Sequence, residues 1–357
     1  MEGRTLQLAA KKFKIAIAGN PNVGKSTLFN ELTGGRAWVG NWPGKTVEKK
    51  VGKLKVNEHY LEVVDLPGIY SLTAYGVDEL IARNFIVEEN PDVVVNIVNA
   101  ANLERNLYLT VSLIEMGANV VVCLNMVDLA ANQGYEVNSE KLSQMLGVPV
   151  IPTIAVEGRG IEELKKAIIK AAEHRKRPVG LVDYGSEVES EISRLSRIVE
   201  KDLELARKYN PRWVAIKLLE GDSDVENKIK LSPLSREILS QAAEAREKLK
   251  SSLGRDLEDY IVEKRYEFVS QLVKECVGVL VRKPITLTDM VDYVVTHKVF
   301  GIPIMLTALY IAFKFAFDVA APLCDLIDWF FGCFLYDLAA TIPGLAGSLL
   351  ADGIITG

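Results

Sequence analysis

The sequence predicts an α/β fold: a mostly parallel six-stranded sheet with helices on both faces, then an α-helical spacer and a transmembrane helix. Three observations carry this. Short apolar runs at 13–18, 92–98, 118–124 and 148–154 alternate with helical patterns, the rhythm of a parallel sheet. Near Arg175-Lys176-Arg177-Pro178 that alternation stops and amphipathic stripes begin. From Val299 the chain becomes strongly apolar.

Composition narrows the function. The chain has 357 residues, 49% apolar and 25% charged, enough for about two to three globular domains. A net charge of −5 counts against nucleic acid as a partner. Cys123, Cys276, Cys324 and Cys333 form no C-x-x-C, which fits a reducing compartment and gives no structural zinc site. The first ten residues lack the apolar core of a secretory signal, so the N-terminal part is expected in the cytoplasm.

Taken in order, residues 13–18 read as a buried strand and 25–33 as a helix. Gly34 to Lys45 reads as loop, because Gly34-Gly35, Gly40 and Asn41-Trp42-Pro43-Gly44 punctuate it. Residues 47–56 and 59–64 read as extended runs around Asn57-Glu58, and helices are expected at 77–87, 103–116, 140–146 and 160–173. In the spacer, the stripes Val188, Ile192, Leu195, Val199, Ala206, then Ile238, Ala242, Ala245, Leu249, Leu253, then Ile261, Phe268, Leu272, Cys276, Leu280 predict a helical bundle without chemistry of its own. Val299 to Ala321 carries two charges, Lys314 and Asp318. As a helix it is about 35 Å long, enough to cross a bilayer. The basic residues Arg282, Lys283, His297 and Lys298 fit a cytoplasmic flank. The expected domains are therefore 1–176, 177–285 and 286–357. The interrupted apolar stretches 329–336 and 339–350 read as interfacial or re-entrant, and the apolar end at Gly357 suggests a piece of a longer membrane protein.

Gly19-Asn20-Pro21-Asn22-Val23-Gly24-Lys25-Ser26 is G-x-x-x-x-G-K-S between a strand and a helix, continued by Thr27. Its backbone N–H groups can surround phosphates, Lys25 can reach the β- and γ-phosphates, and the Ser26 hydroxyl suits Mg²⁺. Asp65-Leu66-Pro67-Gly68 is a D-x-x-G at a strand end, with Asp65 expected to hold Mg²⁺ through a water and the Gly68 N–H to face the γ-phosphate. Between them, in the loop with Gly44 and Lys45, Thr46 is placed to give its hydroxyl to Mg²⁺ and so act as a switch. Asn125-Met126-Val127-Asp128 reads guanine: the Asp128 oxygens accept from N1–H and the 2-amino group, a donor pair that adenine lacks. Asn125 would brace that loop and touch the base, and the Met126 thioether would lie on it. Thr153, Ile154 and Ala155 occupy the place of a further base-contacting loop but depart from the usual Ser-Ala. Ile69 stands where many GTPases carry a water-orienting glutamine. Asn22 is then a candidate ligand for a monovalent cation beside the phosphates, or simply a cap of the loop.

Together, Gly19–Ser26, Gly40-Asn-Trp-Pro-Gly-Lys-Thr46, Asp65-Leu-Pro-Gly-Ile-Tyr-Ser71 and Asn125–Asp128 resemble the FeoB family of ferrous iron transporters. Gly40 to Thr46 and the methionine in the base motif are the family-specific parts; Lys45 departs from an apolar residue. The resemblance implies a cell-membrane, multi-pass protein with its GTPase and spacer in the cytoplasm. It further implies GTP-linked Fe²⁺ uptake with GTP/GDP and Mg²⁺, K⁺-stimulated hydrolysis that would give Asn22 its cation, and a small cytosolic helper protein. Apart from the resemblance, a homo-oligomer is a candidate assembly. Cys324, Asp325, Asp328 and Cys333 could meet Fe²⁺ or simply lie at the membrane boundary. The rival classes are a membrane-anchored regulatory GTPase without transport and a soluble ribosome-assembly or RNA-modifying GTPase. The apolar end and the lack of a basic extension count against the second.

Overall fold

The computed structural model describes residues 11–42, 45–56, 58–73, 76–175, 181–279, 291–292, 294–297, 300–336, 338 and 341–342. Two compact units divide the chain, residues 1–283 and 284–357.

The first unit is built on a seven-stranded sheet in the order β2-β3-β4-β1-β5-β6-β8. The strands are β1 (Lys12–Gly19), β2 (Ala37–Asn41), β3 (Glu48–Val56), β4 (His59–Asp65), β5 (Val93–Asn99), β6 (Val120–Asn125) and β8 (Val150–Pro152), with β7 (Tyr135–Val137) elsewhere. Neighbours from β4 through β1, β5 and β6 to β8 run parallel, whereas β2–β3 and β3–β4 are antiparallel. The mostly parallel sheet is as expected, but it has one strand more than the six predicted. The addition is β2, inside the stretch read as loop. Its five residues are too few to show an alternation, and Gly40 interrupts them. The ladder to β3, Trp38 opposite Val51 and Asn41 opposite Glu48, supplies what local propensity does not.

Both faces of the central strands are buried, and their alternate residues divide between two cores. Ile15, Ile17, Val63, Val95, Ile97 and Val121 pack against Leu28 and Phe29 of α1 (Lys25–Thr33) and Leu164 and Ile168 of α6 (Ile161–Glu173). Ala16, Ala18, Val64, Val94, Val98 and Val122 face α2 (Val77–Asn84) and α3 (Leu103–Glu115). A widened five-residue turn, Phe85–Glu89, extends α2, and α4 (Val127–Asn132) and α5 (Ser139–Leu146) complete this layer.

That second core runs without a break into the spacer helices α7 (Ser186–Glu200), α8 (Leu203–Lys208), α9 (Pro211–Glu220), α10 (Ser223–Ile229), α11 (Ser235–Leu253) and α12 (Leu257–Cys276). The predicted stripes are the buried faces: Val188, Ile192, Leu195, Val199, Ile238, Ala242, Ala245, Leu249, Ile261, Leu272 and Cys276 are all buried. Leu280 lies outside the described residues. After Cys276 the chain forms a short strand, β9 (Val277–Val279), antiparallel to β7, which no sequence pattern announced. An ionic cluster is buried between these helices and the end of α3. Arg265 donates to Glu115 at 2.7 Å and to Glu220 at 2.6 Å, and Lys217 donates to Glu220 at 2.5 Å.

In the second unit, Gly301–Trp329 is one helix, continued as a widened turn over Phe330–Leu335. Among the described residues it is the one helix long and apolar enough to cross a membrane, and its apolar side chains are not buried against the rest of the chain. It begins close to the predicted start but extends past the predicted end at Ala321, because Pro322 is accommodated inside it. Most of the predicted re-entrant stretch 339–350 lies outside the described residues.

Candidate nucleotide site

Three loops that leave the C-terminal ends of β1, β4 and β6 converge, which is where ligands bind in open parallel sheets. The first follows β1. Gly24 adopts φ 93°, and a Cβ there would come within 2.6 Å of the Asn125 side-chain nitrogen, so only glycine lets the phosphate loop pass that close. Asn22 is also left-handed, at φ 64°, with an exposed side chain. Asn20 is buried and donates to the Arg105 carbonyl at 3.3 Å. Pro21 and Val23 shape the loop wall, Val23 by insertion into the core beside Leu28. Lys25 is half-buried, while Ser26 remains exposed at the start of α1 and Thr27 is half-buried.

The second loop follows β4. Leu66 N–H donates to Ile17 and Ile69 N–H to Gly19, which zips the D-x-x-G segment onto the end of β1. A Cβ on Gly68 would lie 3.3 Å from the Lys25 ammonium and 3.3 Å from Pro21, so the two phosphate-directed motifs touch. Asp65 has one carboxylate oxygen, Oδ1, that is buried without a hydrogen-bond partner. Burial pushes its carboxyl up, against the opposing pull of Lys25 and Lys50. A buried, unpartnered carboxylate oxygen at the end of β4, beside the phosphate loop's Lys25, fits a hard cation. Ile69 is fully turned into the core with Leu66 and Leu72, so no side chain there reaches water.

The third loop follows β6. Asn125 is buried and makes the connections: its Nδ2 donates to the Val23 carbonyl at 3.0 Å, and its Oδ1 accepts from Ala155 N–H at 3.0 Å and from the Thr153 hydroxyl at 3.3 Å. Met126 is half-buried at φ 60°, and Asp128 is exposed in the first turn of α4. The backbone N–H groups of Thr153 and Ile154 bond to Leu124 and Arg159. With Ala155 on Asn125, all three N–H groups of that segment already have protein acceptors.

Thr46 and Lys45 lie exposed just before β3, and Gly44 lies outside the described residues. Trp42 anchors this segment. Its ring is buried edge-on to Phe85 at 5.4 Å, with the Lys49 ammonium 4.7 Å from its centre. The sequence placed Trp38 to Trp42 in a loop, but Trp38 to Asn41 are paired with β3, so these carbonyls sit in a strand rather than a free cradle.

Two further contacts escaped the sequence reading. Ser71 and Thr73 donate to the Glu79 carboxylate at 2.7 and 2.5 Å, tying the D-x-x-G loop to the first turn of α2. From the last turn of α2, buried Arg83 donates to Asp222 at 2.6 Å and Asp224 at 2.5 Å in the spacer. Pairs this far apart in sequence have no local signature. Among the described residues no three His, Cys, Asp or Glu side chains come together as a metal site; Cys324 and Cys333 are exposed on the apolar segment.

Residues 13–168 match the model of the family described as Ferrous iron transport protein B, and 184–278 match the FeoB cytosolic helical domain. An Fe(2+) transporter FeoB of Methanocaldococcus jannaschii is 45% identical over 348 residues, covering 97% of this chain and 51% of the relative. A Porphyromonas gingivalis fusion of Fe(2+) transport protein A with Fe(2+) transporter FeoB is 37% identical over 351 residues, covering 96% of this chain and 42% of the relative. This chain thus spans about half the length of the curated relatives it matches. The cytosolic domain of the T. maritima FeoB iron transporter, solved in GMPPNP form, is similar with a TM-score of 0.63 and 33% identity over 74% of this chain and 99% of that one. The same domain is solved in GDP form. The chain belongs to the FeoB family of ferrous iron transport proteins and carries its P-loop GTPase domain, its cytosolic helical domain and one candidate membrane helix.

Proposed function

We propose that this chain binds GTP with Mg²⁺ and hydrolyses it, as the cytoplasmic part of a transporter whose GTP cycle is coupled to Fe²⁺ uptake. The observation that carries the reading is Asn125, which ties the phosphate loop, the base-reading loop and the 153–155 loop into one bracket. Gly19 to Thr27 would cradle the phosphates, with Lys25 on the β- and γ-oxygens. Asp128 would select guanine and Met126 would cover the base. Ser26, Thr46 and Asp65 would hold Mg²⁺, which supplies positive charge to the phosphates when bound. The Gly68 N–H would face the γ-phosphate and read its presence. The T. maritima relative in GMPPNP and GDP forms supports guanine nucleotides as ligands.

Ile69 leaves hydrolysis without a water-orienting glutamine, so charge stabilisation between the β- and γ-phosphates must lower the barrier. Asn22, left-handed and exposed in the phosphate loop, would hold K⁺ there. The carbonyls of 38–42 could join it only by leaving the β2–β3 ladder. Residues 1–176 would then be the GTPase domain, 177–285 the spacer, and 286–357 the start of a multi-pass region in the cell membrane, with the first two parts in the cytoplasm. The P. gingivalis fusion supports a small helper protein as partner. Self-association remains part of the proposal and nucleic acid does not. The test is uptake of labelled ferrous iron by cells expressing the complete gene product. Asp128→Asn should abolish uptake while the protein still reaches the membrane. Uptake unaffected by that substitution would leave a regulatory GTPase without transport as the better reading.

A further inference from the structure

The side chains of Trp38, Lys53, Lys55 and Tyr60 share one sheet face, and none of these side chains is assigned a contact in the nucleotide site. Strand register places these residues together. Trp38 lies opposite Val51, Lys53 opposite Glu62, and Lys55 opposite Tyr60, with Lys12 and Lys14 continuing the rows onto β1. Side chains alternate along a strand, so Lys49, Val51, Lys53 and Lys55 share one face. Toward the core this face is covered: Val51 packs there, and Lys49 lies over Trp42 and Phe85. Toward the sheet edge the cover ends. Trp38 is 64% exposed and Tyr60 51%, while Lys53 and Lys55 are exposed. On this face Lys53 and Lys55 of β3 lie between Trp38 on β2 and Tyr60 on β4, so exposed aromatic and basic side chains alternate across the flank.

The charge on this flank is basic in excess: Lys12, Lys14, Lys53 and Lys55 stand against Glu58, Glu62 and Glu89. Glu62 on this face is already held by Lys12 at 2.8 Å, and Glu89 of the widened turn by Lys14 at 2.6 Å; these lysines hold both carboxyls below their usual range, and Glu58 is the exposed carboxylate at the β3–β4 turn. Among the described residues Lys53 and Lys55 have no carboxylate within ion-pair distance; Lys55 lies 5.6 Å from the Tyr60 ring. A basic surface on a chain of net charge −5 is a local arrangement, not a reflection of composition. Lysines with interleaved Trp and Tyr are the side chains favoured at a lipid–water boundary. Their rings sit among headgroups, and their ammonium groups meet anionic phosphates. The same chain carries, from Gly301, a helix long and apolar enough to cross a bilayer. A bilayer crossed by that helix would be tethered to this surface by the chain itself, which raises its effective concentration.

We propose that the flank formed by Trp38, Lys53, Lys55 and Tyr60 docks onto the anionic headgroups of the bilayer to which the chain is tethered. Trp38 is its own reporter. The full chain is placed in lipid nanodiscs of phosphatidylcholine alone or mixed with phosphatidylglycerol, each doped with a headgroup nitroxide quencher. Trp38 emission is taken as the difference between the wild type and Trp38→Phe. Quenching is expected in the anionic discs, relieved by high salt and weaker in neutral discs. Lys53→Glu with Lys55→Glu should weaken it by about tenfold or more. GDP affinity, measured on the same samples, should be unchanged, which shows that the variant folds and separates this idea from the nucleotide reading. Equal quenching in both lipids, none in either, or quenching that survives the double reversal would overturn the proposal. So would a larger Trp38 response to a single-stranded oligonucleotide than to the anionic discs, which would make the flank a nucleic-acid surface.

Discussion

The Asn125 side chain joins a loop 102 residues before it to one 30 residues after it: Nδ2 donates to the Val23 carbonyl at 3.0 Å while Oδ1 takes the Ala155 N–H at the same distance. Removing it strands a buried acceptor on one side and a buried donor on the other. Each such orphan costs about 1–3 kcal/mol. Asn125→Ala should therefore weaken GDP binding by at least about tenfold and lower the melting temperature. Calorimetry with GDP, together with a thermal melt, checks both. A variant with wild-type affinity would show that the bracket is not what organises the site.

Base choice should be transferable. Asp128→Asn replaces one acceptor with a donor, which suits the carbonyl of xanthine in place of the guanine 2-amino group. The variant should lose GTP affinity and gain XTP affinity. If the two affinities fall in parallel, Asp128 does not read the base.

Much of this was legible in the chain and some was not, and the division has a physical basis. The P-loop, Asp65, Asn125 and Asp128 are readable because each motif is local, and a local backbone shape dictates its residues. The buried strands are readable because both faces are covered, so every position is apolar. β2 was not, because Ala37–Asn41 is short, contains Gly40 and is held by its partner strand. The Arg83–Asp222 and Arg83–Asp224 pairs were hidden for a different reason: charges so far apart in sequence become neighbours only once the spacer packs on α2.

Thr46 should act as a switch. It is exposed beside a segment anchored by the buried Trp42 ring against Phe85. In a Trp38→Phe background, Trp42 emission should differ between GMPPNP and GDP states. Thr46→Ala should remove the difference and slow hydrolysis while sparing GDP binding. A Trp42 signal that stays nucleotide-dependent in the variant argues against the switch.

The ionic cluster buried between α3 and the spacer predicts an acid limit. Burial opposes a charge on Glu220, but Arg265 and Lys217 outweigh it and hold the carboxyl down at about 2, from an ordinary 4.5. A depressed carboxyl contributes stability that is complete above about 4.5 and is lost as pH falls toward about 2. Urea midpoints should therefore fall across that window. Arg265→Met leaves Glu115 and Glu220 buried and short of a partner, so it should cost about 3–5 kcal/mol near neutral pH. A loss below about 1 kcal/mol would mean that the cluster relaxes into solvent.

GTP turnover by this chain, with Mg²⁺ in matched KCl and NaCl at constant ionic strength, tests the account most directly. An arginine finger in this chemistry is worth about 10³–10⁵ in rate, and a weakly held cation in its place should give a smaller but plain acceleration. The account predicts cleavage of GTP and not ATP, clearly faster in potassium. Asn22→Ala should lose the potassium response while keeping nucleotide affinity. Equal rates in the two salts, or a potassium response that survives Asn22→Ala, would contradict the account and turn the search to an arginine supplied by a partner.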